Sequence, residues 1–229
     1  MSFNFGMGAG HALVIAPHPD DEVLGAGGTM ARLAAEGWEV HVCVVTSGAP
    51  PQFDAAQTQR VRAEAKRVHD RLGVTKCHWL GFPAAGLSET PHAELNAGIE
   101  GIVRSLAPEI LLIPHLGDMH LDHQACFTSS LVASRPHQDT FPRVIMAYET
   151  LSETNWNAPQ LTPGFLPSIF VDIEETLEAK LDAFALYESQ VRRAPHERSL
   201  KTLRALATVR GATVHRNACE AFVPVRIVL

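Results

Sequence analysis

The stretch Ala16-Pro17-His18-Pro19-Asp20-Asp21-Glu22 constrains this chain more than any other. Ahead of it, His11 to Ala16 is aliphatic and too short for a helix, which predicts a buried strand. Behind it, Val23, Leu24, Ala31, Leu33 and Ala34 recur at helical spacing and predict a helix through Ala35. Between the two, one imidazole and three carboxylates fall within five residues, while two prolines fix two φ angles and remove two backbone donors. A strand-to-helix turn in an α/β domain lies at the carboxyl end of the sheet, where such folds form ligand crevices. Acids here have a plain explanation as caps, because the free N–H groups and dipole of a first helical turn favour negative charge. Capping needs one Asp, however, and gives no reason for His18. His and Asp three residues apart in a stiff turn can offer a nitrogen and an oxygen to one cation, and catalytic zinc sites use three such ligands with one position open.

A second cluster lies a hundred residues downstream. Glu109-Ile-Leu-Leu-Ile-Pro114 reads as another buried strand and runs into His115, Asp118, His120, Asp122 and His123. One such histidine would be read as solvated or satisfied in the core. Two strand ends crowded with His and Asp favour a metal site, since parallel strands bring their carboxyl ends together.

These residues resemble a known family. His18-Pro19-Asp20-Asp21-Glu22, Gly27-Gly28, Thr46-Ser47-Gly48 and Asp118-x-His120-x-Asp122-His123 are similar to the LmbE-like (PIG-L-type) zinc-dependent N-deacetylases. The likeness continues through Arg62-x-Glu64, Tyr148-Glu149, Lys180, Tyr187, Arg198-Ser199, Arg210-Gly211 and Glu220-Ala221-Phe222, and so spans nearly the whole chain. Many members with this C-terminal half carry Asn and Arg where this chain has His120 and Gln124.

Together with the residue chemistry, the resemblance implies His18, Asp21 and His123 as ligands of Zn2+, with Fe2+ or another divalent ion as the alternative. Asp20 is expected as general base, His120 as the electrophile for a tetrahedral oxyanion, and Asp122 as the group fixing the tautomer of His120 or His123. Glu22 is expected to bond backbone N–H groups and hold the turn. Ser47, Arg62 and Glu149 are the candidates for substrate contact. The implied reaction is hydrolysis of the acetamide of an N-acetylglucosamine-type amino sugar or its conjugate, releasing acetate. The alternatives are an amidase acting on a larger amide and a non-catalytic sugar- or nucleotide-binding module. A homo-trimer or hexamer is a family expectation.

The remaining chain fits this frame. Residues 1–10 read as a flexible leader, 11–134 as a Rossmann-like core of mostly parallel strands flanked by helices, and 144–229 as a smaller C-terminal lobe completing the pocket, all within one domain spanning 1–229. Expected helices include Ala55 to Leu72, Pro91 to Leu106, Glu175 to Val191 and Leu200 to Thr208. Gly25-Ala-Gly27-Gly28 lies inside the first helix, so it predicts close packing and not a dinucleotide turn, which three acids would in any case oppose. A net charge of −6 with no basic run argues against nucleic acid or an anionic membrane as partner. No window approaches the roughly 20 apolar residues of a membrane span. Four cysteines without C-x-x-C spacing indicate neither a zinc knuckle nor a disulfide framework, and a cytoplasmic protein with free thiols is the expectation.

Overall fold

A computed structural model describes residues 8–137 and 140–228; most of the leader expected over 1–10 lies outside them. The strands β1 (His11–Ala16), β2 (Glu39–Ser47), β3 (Lys76–Pro83), β4 (Ile110–Pro114) and β5 (Val144–Tyr148) alternate with α1 (Asp21–Ala35), α2 (Ala55–Leu72), α3 (His92–Leu106) and α4 (Leu121–Ala133). After them come β6 (Ile169–Asp172), α5 (Leu177–Ala185), α6 (Leu200–Ala212) and β7 (Cys219–Ile227). One seven-stranded sheet has the order β3-β2-β1-β4-β5-β7-β6. The first five strands are parallel in the Rossmann order. The C-terminal segment adds to the same sheet: β7 runs antiparallel beside β5, and β6 pairs antiparallel with β7.

Alternate residues of each central strand face two separate cores, which explains the continuous aliphatic runs in the sequence. Ala12, Val14, Val42 and Val44 pack with Met30 and Leu33 of α1, Val68 of α2, Phe184 of α5 and Leu203 of α6. Leu13, Ile15, Cys43 and Val45 pack on the other face with Leu95 and Ile99 of α3 and Cys126 of α4. All four cysteines are free, as the spacing implied. Helix α2 has the predicted bounds, capped by Asp54 at its start and by Gly73, at φ 74°, at its end. Helix α5 stops at Ala185, well short of the expected Val191, and the following residues turn so that Tyr187 and Ser189 reach Glu22 and Glu64.

The glycines of α1 do serve close packing. A Cβ on Gly25 would lie 2.1 Å from the Tyr148 ring, and one on Gly28 would meet Ile173 at 2.8 Å. Among them α1 breaks at Ala26, whose φ and ψ of −139° and 16° are not helical. The break frees backbone groups that the C-terminal segment satisfies. Glu220 of β7 accepts from the N–H groups of Gly28 and Thr29 at 2.9 and 2.7 Å, and Lys180 of α5 donates to the Leu24 carbonyl at 2.9 Å. Lys180 and Glu220 also pair with each other at 2.6 Å, both buried. Removing one partner of such a pair leaves a buried charge uncompensated. Lys180→Met is therefore expected to lower stability by about 3–5 kcal/mol in urea denaturation, whereas a loss below about 0.5 kcal/mol would assign the bridge no structural weight.

Candidate metal centre

The end of β1 and the start of α1 are joined by Pro17 to Asp20, so His18, Asp20 and Asp21 all belong to the carboxyl-end turn of a central strand. The neighbouring β4 feeds the loop that leads to His120, the N-cap of α4, and to His123 in its first turn. These parallel neighbours bring the two clusters together. His18 Nδ1 and His123 Nε2 each lie 3.2 Å from Asp21 Oδ2. Their ligand atoms fall within 4.8 Å of one another, a spacing that could hold a metal ion.

His18, His120 and Asp122 form a second grouping of the same size. Hydrogen bonding separates the two. The Asp122 carboxylate is already engaged by His18 Nε2 at 3.0 Å and by the N–H groups of Ala85 and Leu87 at 2.7 and 3.0 Å. In contrast, Asp21 Oδ1 and His123 Nε2 are buried without a hydrogen-bond partner. Orphaned buried polar atoms are rare in folded proteins, and these two, an acceptor and an imidazole nitrogen, belong to residues of the first grouping. The residues present thus fit a divalent ion with mixed nitrogen and oxygen ligands.

His123 is oriented from behind. His123 Nδ1 lies 2.8 Å from Asp118 Oδ2, and Asp118 Oδ1 accepts from the Thr154 hydroxyl at 2.6 Å. Asp118 belongs to the motif that carries the family likeness, but its spacing alone does not say which ring it holds. The expected role of Asp122 is corrected in the same way. Its carboxylate touches neither His120 nor His123, because from the first turn of α4 it reaches His18 and two open N–H groups beyond β3. Its backbone does fix a tautomer: Asp122 N–H donates to His120 Nδ1 at 3.1 Å, so in the neutral ring the proton sits on Nε2.

Asp20 shows why capping does not account for the turn. It occupies the N-cap of α1, but its side chain makes no capping bond. Asp20 Oδ2 instead accepts from Arg198 Nη1 at 2.9 Å, a residue 178 positions away. Arg198 is also held by the Ser152 hydroxyl at 2.9 Å and lies 3.6 Å from Glu153. Arg198 is thus ion-paired with Asp20 at the wall of the cleft. The backbone of Asp20 has φ 124°, a region L residues rarely adopt and one that costs about 1–3 kcal/mol. Its N–H is accepted at 3.0 Å by Glu22, which has the turn-holding role expected of it.

Burial and neighbours shape the titration of the group. Burial pushes the Asp20 carboxyl up to about 7, against the pull of Arg198. Burial opposes charge on His18, but hydrogen bonds to Asp122 and Asp21 prevail and raise it to about 9. Burial likewise opposes charge on His123, and the Asp21 charge with the Asp118 hydrogen bond raises it to about 10. Asp21 is held well below the usual carboxylate range despite its burial, chiefly by His123. His120 is pushed down by burial and by the charges of His18 and His123.

The group forms the floor of a cleft whose empty volume, including its open mouth, is ≈ 860 Å³. His18, Asp20 and His120 line it, and Asp21 and His123 lie buried behind them. Two of the three substrate-contact candidates are on one wall: Arg62 stacks 4.6 Å over the Trp79 ring and donates to Ser47 at 3.4 Å. The third, Glu149, is elsewhere. It forms a bidentate pair with Arg210 at 2.8 and 2.6 Å and does not line the cleft, because the end of β5 faces α6. Trp156, between β5 and β6, is exposed and bonded to Glu197.

Fold and site together define an α/β protein with a His/Asp metal-type centre at the carboxyl end of a parallel sheet. The PIG-L family profile, described as GlcNAc-PI de-N-acetylase, matches residues 13–134. A diacetylchitobiose deacetylase of Thermococcus kodakarensis is 32% identical over 188 residues, covering 78% of this chain and 69% of that protein. A 1D-myo-inositol 2-acetamido-2-deoxy-alpha-D-glucopyranoside deacetylase of Rhodococcus jostii is 26% identical, covering 80% and 82%. The crystal structure of the conserved protein TT1542 from Thermus thermophilus superposes with a TM-score of 0.78 at 26% identity, covering 95% and 96%. The chain belongs to the PIG-L family.

Because Asp118 holds His123 from behind, Asp118→Asn is expected to weaken zinc binding by about 10–100-fold. Competition against a chromophoric chelator measures this, and an unchanged affinity would remove Asp118 from the support of the centre.

Proposed function

We propose that this protein is a metal-dependent N-deacetylase that hydrolyses the acetamide of an N-acetylglucosamine-type amino sugar or conjugate, releasing acetate. The observation that carries this reading is the cleft floor, where Asp20 and the neutral His120 flank the His18–Asp21–His123 group. Zn2+ is the ion we assign to that group, as the mixed donor set favours. When bound it supplies Lewis acidity, which polarises an amide carbonyl and makes water a nucleophile near neutral pH.

The chain's own residues do the rest. Asp20 takes a proton from the attacking water as the new carbon–oxygen bond forms. His120 presents Nε2–H to the oxyanion that develops on the former carbonyl oxygen. The carbon–nitrogen bond then breaks, and Asp20 returns its proton to the departing amine. Arg198 keeps Asp20 aimed into the cleft at 2.9 Å, and the strained backbone of Asp20 turns its side chain away from the helix end. Ser47, Arg62 and Trp79 form a wall suited to a sugar hydroxyl and ring face.

The deacetylase activity named for the relatives supports the choice of bond cleaved. Four free cysteines support a cytoplasmic setting. Among the described residues no helix is long and apolar enough to cross a membrane.

Zinc-loaded protein should release acetate from at least one member of a panel of N-acetylglucosamine conjugates, and a chelator should abolish it. Asp20→Asn should keep its zinc and lower kcat by about 10²–10⁴-fold. Full turnover in that variant would take the proton-transfer role away from Asp20; no release from any conjugate by the zinc-loaded protein would overturn the deacetylase reading.

A further inference from the structure

At the opposite end of β1 from the catalytic turn, three more side chains converge, and amide hydrolysis has no use for them. His11 opens β1, Glu39 opens β2, and the two are partners in the parallel register. His41 lies two residues further along β2, so it projects from the same face as Glu39. His11 Nδ1 is 3.5 Å from Glu39 Oε2, and His41 Nε2 is 3.7 Å from the same oxygen. The three ligand atoms lie within 4.8 Å of one another. Metal bonds of about 2.0–2.1 Å at tetrahedral angles place neighbouring ligands about 3.3 Å apart. Two edges of the cluster are therefore close to the spacing an ion would impose.

Hydrogen bonding within the protein leaves the cluster incomplete. His11 Nδ1 and His41 Nε2 are both buried and have no hydrogen-bond partner, an arrangement that costs free energy in a folded protein. His41 as a residue is only 6% exposed. Its other nitrogen, Nδ1, lies 3.2 Å from His78 Nε2 on β3. Burial pushes the pKa of both rings down, His41 further by the charge of His11 and His78 by that of His41. Between two neutral rings one proton is shared, and when His41 Nδ1 donates it, the lone pair on Nε2 faces Glu39. A ring held from behind in this way is the usual setting of a metal-ligating histidine.

The strand ends that carry these ligands are themselves fixed. His11 N–H donates to Glu109 at 2.7 Å, and Glu39 N–H donates to the Gly10 carbonyl at 2.9 Å. The side chains of His11 and Glu39 are 37% and 59% exposed, which leaves the site open to an ion and to a solvent ligand. The Lys76 ammonium near His41 opposes a cation here, and the Glu39 carboxylate offsets it.

We propose that His11, Glu39 and His41 form a second metal site, binding a divalent transition ion of the zinc class. Two histidines and one glutamate are a recognised donor set for zinc. Five strand rises of about 3.3 Å separate His11 from Ala16, so the site is about 16 Å or more from the catalytic turn. An ion here would tie the first residues of β1 to those of β2 and take no part in the reaction.

Cobalt(II) titration of the metal-stripped full-length chain tests this, read by visible absorption and by equilibrium dialysis. Wild type should bind two equivalents, one at each centre. Glu39→Gln and His11→Gln, both outside the cleft, should each lose one equivalent while acetate release stays unchanged. One equivalent in wild type would overturn the proposal. So would two that survive both substitutions, since the extra ion would then sit elsewhere. The count is read without turnover, so a failure of the deacetylase reading leaves it interpretable, and a single equivalent with acetate release intact would sink this inference alone.

Discussion

Asp20 keeps a backbone φ of 124° because Glu22, two residues on, accepts its N–H from within the protein. Glu22 is wholly buried and also takes bonds from His69 of α2 at 3.1 Å and from the Tyr187 hydroxyl at 2.8 Å. Elements on two sides are thus anchored to one carboxylate, and the strained turn is over-determined, as such conformations must be to persist. The outcome is three successive acids aimed in three directions. Asp20 faces the cleft and Arg198, Asp21 faces His18 and His123, and Glu22 faces inward. A regular helix start would have used at least one of them as a cap.

Much of this was legible in the sequence, and the limits have physical reasons. His18, Asp21 and His123 could be linked because parallel strands gather their carboxyl ends, so two clusters far apart in the chain had to meet. The end of α2 followed from the Gly73 stop, and the structure adds an Asp54 cap at its start. What could not be read was direction. Asp122 sits beside the right histidines in the chain, but its carboxylate leaves α4 toward His18 and the β3 loop. Glu149 follows a strand that ends near the cleft, yet it pairs with Arg210 of α6. Arg198 carries no local signal for its bond to Asp20, since only the fold brings them together. The periodicity of α5 continues past the point where Tyr187 turns inward, which is why the helix ends earlier than its pattern predicts.

Electrostatics explains how so many acids coexist at one end of the sheet. Asp20, Asp21, Asp118 and Asp122 are all buried, and each faces a cation or an imidazole: Arg198, His18 or His123. The carboxylates in turn raise His18 and His123, to about 9 and 10, against the burial that opposes charge on both rings.

The bridge across the break in α1 has a consequence for how the chain comes off the ribosome. Gly28 and Thr29 are made early, and the carboxylate that takes their N–H groups comes from Glu220, 192 and 191 residues later. At about 5–20 residues per second, those groups stay without their partner for about 10–40 s of synthesis. Through that interval the nascent chain already carries its ligand-bearing turn, but the helix behind it is open and unsupported. The turn that lines the cleft is made long before the residue that completes the helix behind it.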